Sequence, residues 1–199
     1  MRKSFLILLV VACLVEFLTL PVDSYAMLQK LTPEQRDAAI KYGKKGVRME
    51  VSDFIKEWSV NNGDKGFAFI ITEFLALAFA SQQAAMKSAE LNNFDIEDTL
   101  AKSAGKLVFR ATLFGNTDSF AKDYTAVVRA GDKTVPATFW NNPPGESYGD
   151  GKTKPAFVTD SDFYFPADGI DPNAMITLTV QDKDGKEVTK FQFDLAKMR

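Results

Sequence analysis

The 199-residue sequence contains no histidine and a single cysteine, Cys13. Without histidine there is no Ser-His-Asp or Cys-His triad, no HExxH zinc site and no imidazole to exchange protons near neutral pH. Cysteine-ligated zinc and iron–sulfur centres need several thiolates, so they are excluded as well. No GxSxG, Walker A or Rossmann glycine pattern occurs. The net charge is −2 and the lysines and arginines are scattered, so the footprint of a nucleic-acid-binding protein is missing and no nucleic acid partner is expected. No internal repeat is visible. Most enzyme templates fall away before any function is suggested.

What is present begins with an export pattern. Met1-Arg2-Lys3 is basic, Ser4–Val15 is apolar, and Ser24-Tyr25-Ala26 puts small residues at the −3 and −1 positions of a cleavage site. That order is the pattern of a secretory signal peptide over residues 1–26. Glu16 and Pro21 interrupt the run, which argues against a membrane anchor. Val10-Val11-Ala12-Cys13 also resembles a lipobox, in which Cys13 would be acylated and carry a lipid anchor. The residues after Cys13 are apolar where lipoprotein tethers are polar, so cleavage after Ala26 is the favoured reading. The expected location is exported, periplasmic or secreted, with a lipoprotein of the bacterial envelope as the alternative.

The mature chain is organised around Gly66–Glu90. From Phe67 to Ala80 the only polar side chains are Thr72 and Glu73. A bilayer-spanning helix needs about 20 consecutive apolar residues. This run is shorter and carries a carboxylate, so no transmembrane span is expected in the mature chain. Phe67–Ile71 is rich in aromatic and β-branched residues and reads as extended, with Thr72 capping a helix from Glu73; a helix starting near Phe67 is the alternative. Apolar on every side in its first half, the helix must be buried. A buried Glu73 would need a partner, and a lysine or arginine is expected.

Around it, Thr32, Pro33 and Gln35 have the spacing of a helix start with a capping box, and Gly43 and Gly46 are expected to end that helix. Val47–Val51 alternates as an extended piece would, and Phe54, Ile55 and Trp58 predict a short helix over Asp53–Val60. Asp95 is expected to cap a helix running to Ser103, before Gly105. Residues 27–105 therefore read as a helical region.

Composition changes at Lys106. Six or so short segments, separated by turns, alternate apolar and polar residues, most clearly Ile176, Leu178 and Val180 before the hairpin signal Asp184-Gly185. Residues 106–199 read as an antiparallel β-sandwich, immunoglobulin-like or C2-like in general shape. The expected fold class is α+β, with the N-terminal helical region packed on the sandwich.

Two candidate sites lie in the second half. Asp160, Asp162, Asp168 and Asp171 bring four acids into a short segment, and calcium favours several oxygen ligands. The spacing matches no EF-hand loop, so solvated turn acids are the competing reading, and no cofactor other than calcium is suggested. The long loop Asn141–Pro155 is flanked by aromatic residues, of which Trp140 and Tyr148 are the expected exposed members; an exposed ring beside polar anchors suits a polymer. These readings point to a non-catalytic extracytoplasmic protein that binds a protein or polysaccharide partner through sandwich loops. A carboxylate-dependent glycan hydrolase, for which Glu146 or Asp150 would be guesses, and a structural envelope accessory protein without a discrete site are the alternatives.

Overall fold

A computed structural model describes residues 30–199. The signal-peptide reading of residues 1–26, with Cys13 and the Ala26 cleavage point, lies outside the described residues.

Helix α1 (Pro33–Lys45) begins as the sequence predicts. The Gln35 backbone N–H donates to the Thr32 hydroxyl at 3.3 Å, and the Thr32 N–H donates to Gln35 Oε1 at 2.8 Å. Gly43 does not end the helix. It lies inside it, at a close approach to the central helix, and Gly46 takes the C-terminal cap. The next segment is more broken than expected: a 3-10 turn (Gly46–Arg48), helix α2 (Val51–Phe54), a second 3-10 turn (Lys56–Trp58), then strand β1 (Ser59–Asn61). Burying both Phe54 and Trp58 while releasing Ser59 to pair with a strand leaves no room for one continuous helix.

Phe67–Ile71 is extended, as strand β2, and Thr72 caps helix α3 (Glu73–Met86) by accepting from the Leu75 N–H at 3.0 Å. Helix α4 (Asn93–Ser103) is capped by Asn92, with Asp95 as the reciprocal member of a capping box rather than the cap itself. Glu73 is half-buried, and its Oε2 accepts from the Leu31 backbone N–H at 3.3 Å; among the described residues no cation pairs with it. Its place in the first turn of α3 supplies the favourable field that the expected lysine or arginine would have provided.

The remaining strands are β3 (Lys106–Gly115), β4 (Thr125–Ala130), β5 (Lys133–Pro136), β6 (Phe139–Asn141), β7 (Glu146–Ser147), β8 (Phe157–Pro166), β9 (Met175–Gln181) and β10 (Glu187–Asp194). Among the described residues they form two antiparallel sheets. The first has the order β1-β2-β3-β8-β6, with β7 also on β8, and the second has β10-β9-β4-β5. The fold is α+β, as expected from sequence.

The sheets face each other across alternate residues. Phe109 of β3 is fully buried, 5.1 Å from the Phe193 ring and edge-on to Phe165 at 5.6 Å. Ile176, Leu178 and Val180 close the core from β9. On the other side of the first sheet, Phe69 turns toward the helices and meets Phe79 of α3 at 6.5 Å. Three layers result: helices, first sheet, second sheet. One apolar cluster runs through residues from both halves of the chain. The last residues fasten the layers together, since Trp58 Nε1 and Thr72 Oγ1 both donate to the Arg199 carbonyl oxygen at 2.8 Å. The Arg199 side chain pairs with Glu57 and lies over the Tyr42, Trp58 and Phe74 rings, 4.8 Å from the last. Among the described residues, no helix is long and apolar enough to cross a membrane.

Candidate functional site

The register of β3 and β8 decides what the outer face of the first sheet presents. Val108 lies opposite Tyr164, Arg110 opposite Asp162, Thr112 opposite Asp160 and Phe114 opposite Val158. Cross-strand partners share a face, and Phe109 and Phe163 point into the core, so these four pairs point away from it. Pairing of β6 adds Phe139 beside Tyr164 and Asn141 beside Asp162, and pairing of β7 adds Glu146 beside Val158. The helices cover the β2 side of this face. Toward β6 and β7 it carries exposed Asp160, Asn141, Glu146 and Phe139.

Two ring pairs stand on this face. Phe139 lies 5.3 Å from Tyr164, and Tyr148 lies 5.0 Å from Phe114. Phe139, Trp140 and Tyr148 are 59%, 43% and 53% exposed. The sequence reading named Trp140 and Tyr148 but missed Phe139. Trp140 pairs with core-facing Phe163, so it sits on the opposite side of β6 and owes its exposure to the edge of the sheet. Phe139, one residue earlier, is the ring that shares a face with Tyr148. Strand parity puts Phe139 and Trp140 on opposite sides of β6, and only the pairing with β8 decides which of them faces outward.

Between the ring pairs lies a polar centre. Arg110 Nε and Nη2 donate to the two Asp162 carboxylate oxygens at 2.7 and 2.8 Å, a two-pronged pair that raises the guanidinium above its ordinary range. Thr112 Oγ1 donates to Asp160 Oδ1 at 2.6 Å. Beside them a cleft of about 420 Å³ is bounded by Pro143, Pro144, Glu146, Val158 and Asp160.

The long loop is tied down at several points. The Gly145 N–H donates to the Asp118 carbonyl at 2.7 Å, the Tyr148 N–H to the Ala156 carbonyl at 2.8 Å, and Thr159 Oγ1 to the Pro143 carbonyl at 2.9 Å. The Asp150 carboxylate accepts from the backbone N–H groups of Lys152, Thr153 and Lys154 and from the Thr153 hydroxyl. These bonds hold its carboxyl well below the usual carboxylate range, with the backbone donors as the largest cause. Asp150 is thereby a loop-building residue.

The four acids grouped by the sequence are put to separate uses. Asp160 and Asp162 engage Thr112 and Arg110, the Asp168 carbonyl accepts from Lys133 Nζ at 2.7 Å, and Asp171 Oδ1 accepts from the Asn173 N–H at 2.8 Å. Among the described residues, no group of three or more histidine, cysteine, aspartate or glutamate residues could hold a metal ion. Glu146 and Asp160 are brought to one cleft, both exposed to water, while Asp150 is held in its own turn.

No protein-family model matches the chain, and no curated protein matches it either. Two solved structures are similar in part. One is a protein of unknown function from Burkholderia pseudomallei K96243, with 10% identity over 84% of this chain and 95% of that one, and a TM-score of 0.46. The other is the archaellum periplasmic stator protein FlaG from Sulfolobus acidocaldarius, with 15% identity over 45% of this chain and 86% of that one, and a TM-score of 0.27. At these scores neither likeness bears on what this chain does.

Proposed function

We propose that the protein is an exported, non-catalytic binding protein that holds a protein or polysaccharide partner at the β6–β8 edge of the first sheet. The observation that supports this reading is the set of three exposed rings along one edge, Phe139 and Tyr148 on its outer face and Trp140 on the other side of β6. Two of them are braced by a second ring, and Asp160, Asn141 and Glu146 lie beside them on the open face. Aromatic rings supply flat apolar contact at low entropic cost, and the neighbouring carboxylates and amide fix orientation by hydrogen bonds. A tied-down loop holds the arrangement ready before the partner arrives, which reduces the ordering cost of association. Export is supported by the basic, apolar and small-residue order of residues 1–26.

Affinity electrophoresis against soluble polysaccharides, together with binding to defined unfolded polypeptides, tests the reading. Trp140→Ala, on the other side of β6, should weaken binding little, whereas Tyr148→Ala and Phe139→Ala should each weaken it about tenfold, the loss usual for an aromatic anchor. All three side chains are exposed, so the melting temperature should hardly move. Unchanged affinity in both Tyr148→Ala and Phe139→Ala would count against the site. Mass spectrometry of the mature N-terminus should show a chain beginning at Met27; an acylated Cys13 would instead place the protein on a lipid anchor.

A further inference from the structure

The outer face of the second sheet, on the far side of the molecule from the aromatic edge, forms a trough of about 690 Å³. We propose that this trough binds an acidic polysaccharide through its carboxylates and hydroxyls. Its floor is set by strand register: Arg129 of β4 lies opposite Thr177 of β9, which lies opposite Gln192 of β10, and in the next row Thr179 lies opposite Lys190. Lys65, from the turn between β1 and β2, closes the side beyond β10. Neighbouring strands lie about 4.8 Å apart, so Arg129 and Gln192 stand roughly 10 Å from each other across one polar row, with Val127 opposite Thr179 in the next. The register slips between Glu187 and Thr189, a bulge that bends β10 at the edge of the trough.

Charge selects the class of ligand. Three cations, Lys65, Arg129 and Lys190, line the trough against one acid, Glu187, in a chain whose net charge is −2. Glu187 lies 3.5 Å from Lys190 and neutralises it. Arg129 and Lys65 are exposed and have no ion-pair partner among the described residues. A guanidinium donates to a carboxylate in two-pronged fashion, and threonine and glutamine side chains both donate to and accept from sugar hydroxyls. A single-stranded nucleic acid is a poorer fit: no aromatic ring lines the trough to stack a base, and two unpaired cations neutralise few phosphates. A run of threonines on a solvated strand also follows from strand propensity alone. Propensity does not place two unpaired cations on opposite sides of that run.

The experiment is affinity electrophoresis of the full chain in gels containing alginate, polygalacturonate or neutral dextran, with single-stranded DNA binding measured in parallel. Alginate and polygalacturonate should retard the protein, dextran should not, and high salt should weaken the retardation. The double variant Arg129→Gln/Lys65→Gln should lose affinity about tenfold, as expected for charged hydrogen bonds. Lys65→Gln alone, on a surface turn, should lose about threefold. Lys87→Gln, an exposed cation at the end of α3 and outside the trough, should leave this binding intact. Absence of retardation by both acidic polymers, equal retardation by dextran, or DNA binding as tight as that of alginate would overturn the proposal. So would a folded double variant that binds alginate as the parent does.

Discussion

At the scale of the residue, Asp162 shows best what a linear reading cannot see. In the sequence it belongs to a group of four acids; in the fold it is a buried carboxylate matched to one guanidinium 52 positions away. Asp162→Ala should lower the stability toward urea by about 1–3 kcal/mol, because Arg110 then keeps a half-buried charge with no matched acceptor. Asp162→Asn should fall between Asp162→Ala and the parent protein. The pairing was invisible because it depends on the β3–β8 register, and a slip of one residue would turn Asp162 into the core and Phe163 out of it. Asp150 carries a pH prediction. Its folded carboxyl lies below the ordinary value near 4, so the stability that it adds is present above that pH and is lost as the pH falls. The carboxyl carbon of Asp150 should therefore still report the charged form at about pH 3.5, where an ordinary aspartate is largely protonated. A shift to the protonated value by that pH would show that the turn does not hold it.

At the scale of the element, local signals were readable where they acted alone and were misread where packing intervened. Thr32 and Gln35 specified the start of α1 by chemistry confined to four residues. The sign at Gly43 was ambiguous, since a glycine near a helix end can close the helix or admit a neighbour. Here it admits α3: an added Cβ would run into the Ala78 carbonyl oxygen and Ser81 Cβ. Gly43→Ala should thus destabilise by about 1–3 kcal/mol through overpacking, although alanine favours helix, and thermal melting would read the loss. A neutral or stabilising effect would mean that α1 and α3 can part at no cost. Phe67–Ile71 was legible only as a choice between strand and helix. Pairing with β3 through five residues resolves it, because a helix there would strip the first sheet of its second strand.

At the scale of the whole molecule, composition changes at Lys106, where β3 begins, yet strands already occur before it and the two halves are interlocked. β1 and β2 come from the helical half and extend the first sheet, and Phe69 and Phe79 seal the joint. Heat or urea should unfold the chain in one transition, with circular dichroism and tryptophan fluorescence superimposing. A fragment beginning at Lys106 would expose the edge of β3 that β2 covers, and it should self-associate on size-exclusion chromatography. A monomeric, folded fragment would show that the sandwich stands without the helical half. The fold class was legible because hydrophobic period reports burial element by element. The candidate site was only partly legible: Tyr148 and Trp140 stood out by composition, but the face that each would occupy depended on pairing that no period encodes.

The two tryptophans of the chain end in opposite environments. Trp58 is fully buried, its indole N–H bonded to the Arg199 carbonyl and its ring beneath that residue's guanidinium. Trp140 stands half in water at the sheet edge. Emission from Trp58 should be blue and insensitive to added iodide or acrylamide until the chain unfolds, whereas Trp140 should be quenched in the native state and shielded when a partner covers the edge. The protein thus carries two built-in optical probes, one reporting whether it is folded and the other whether it is occupied.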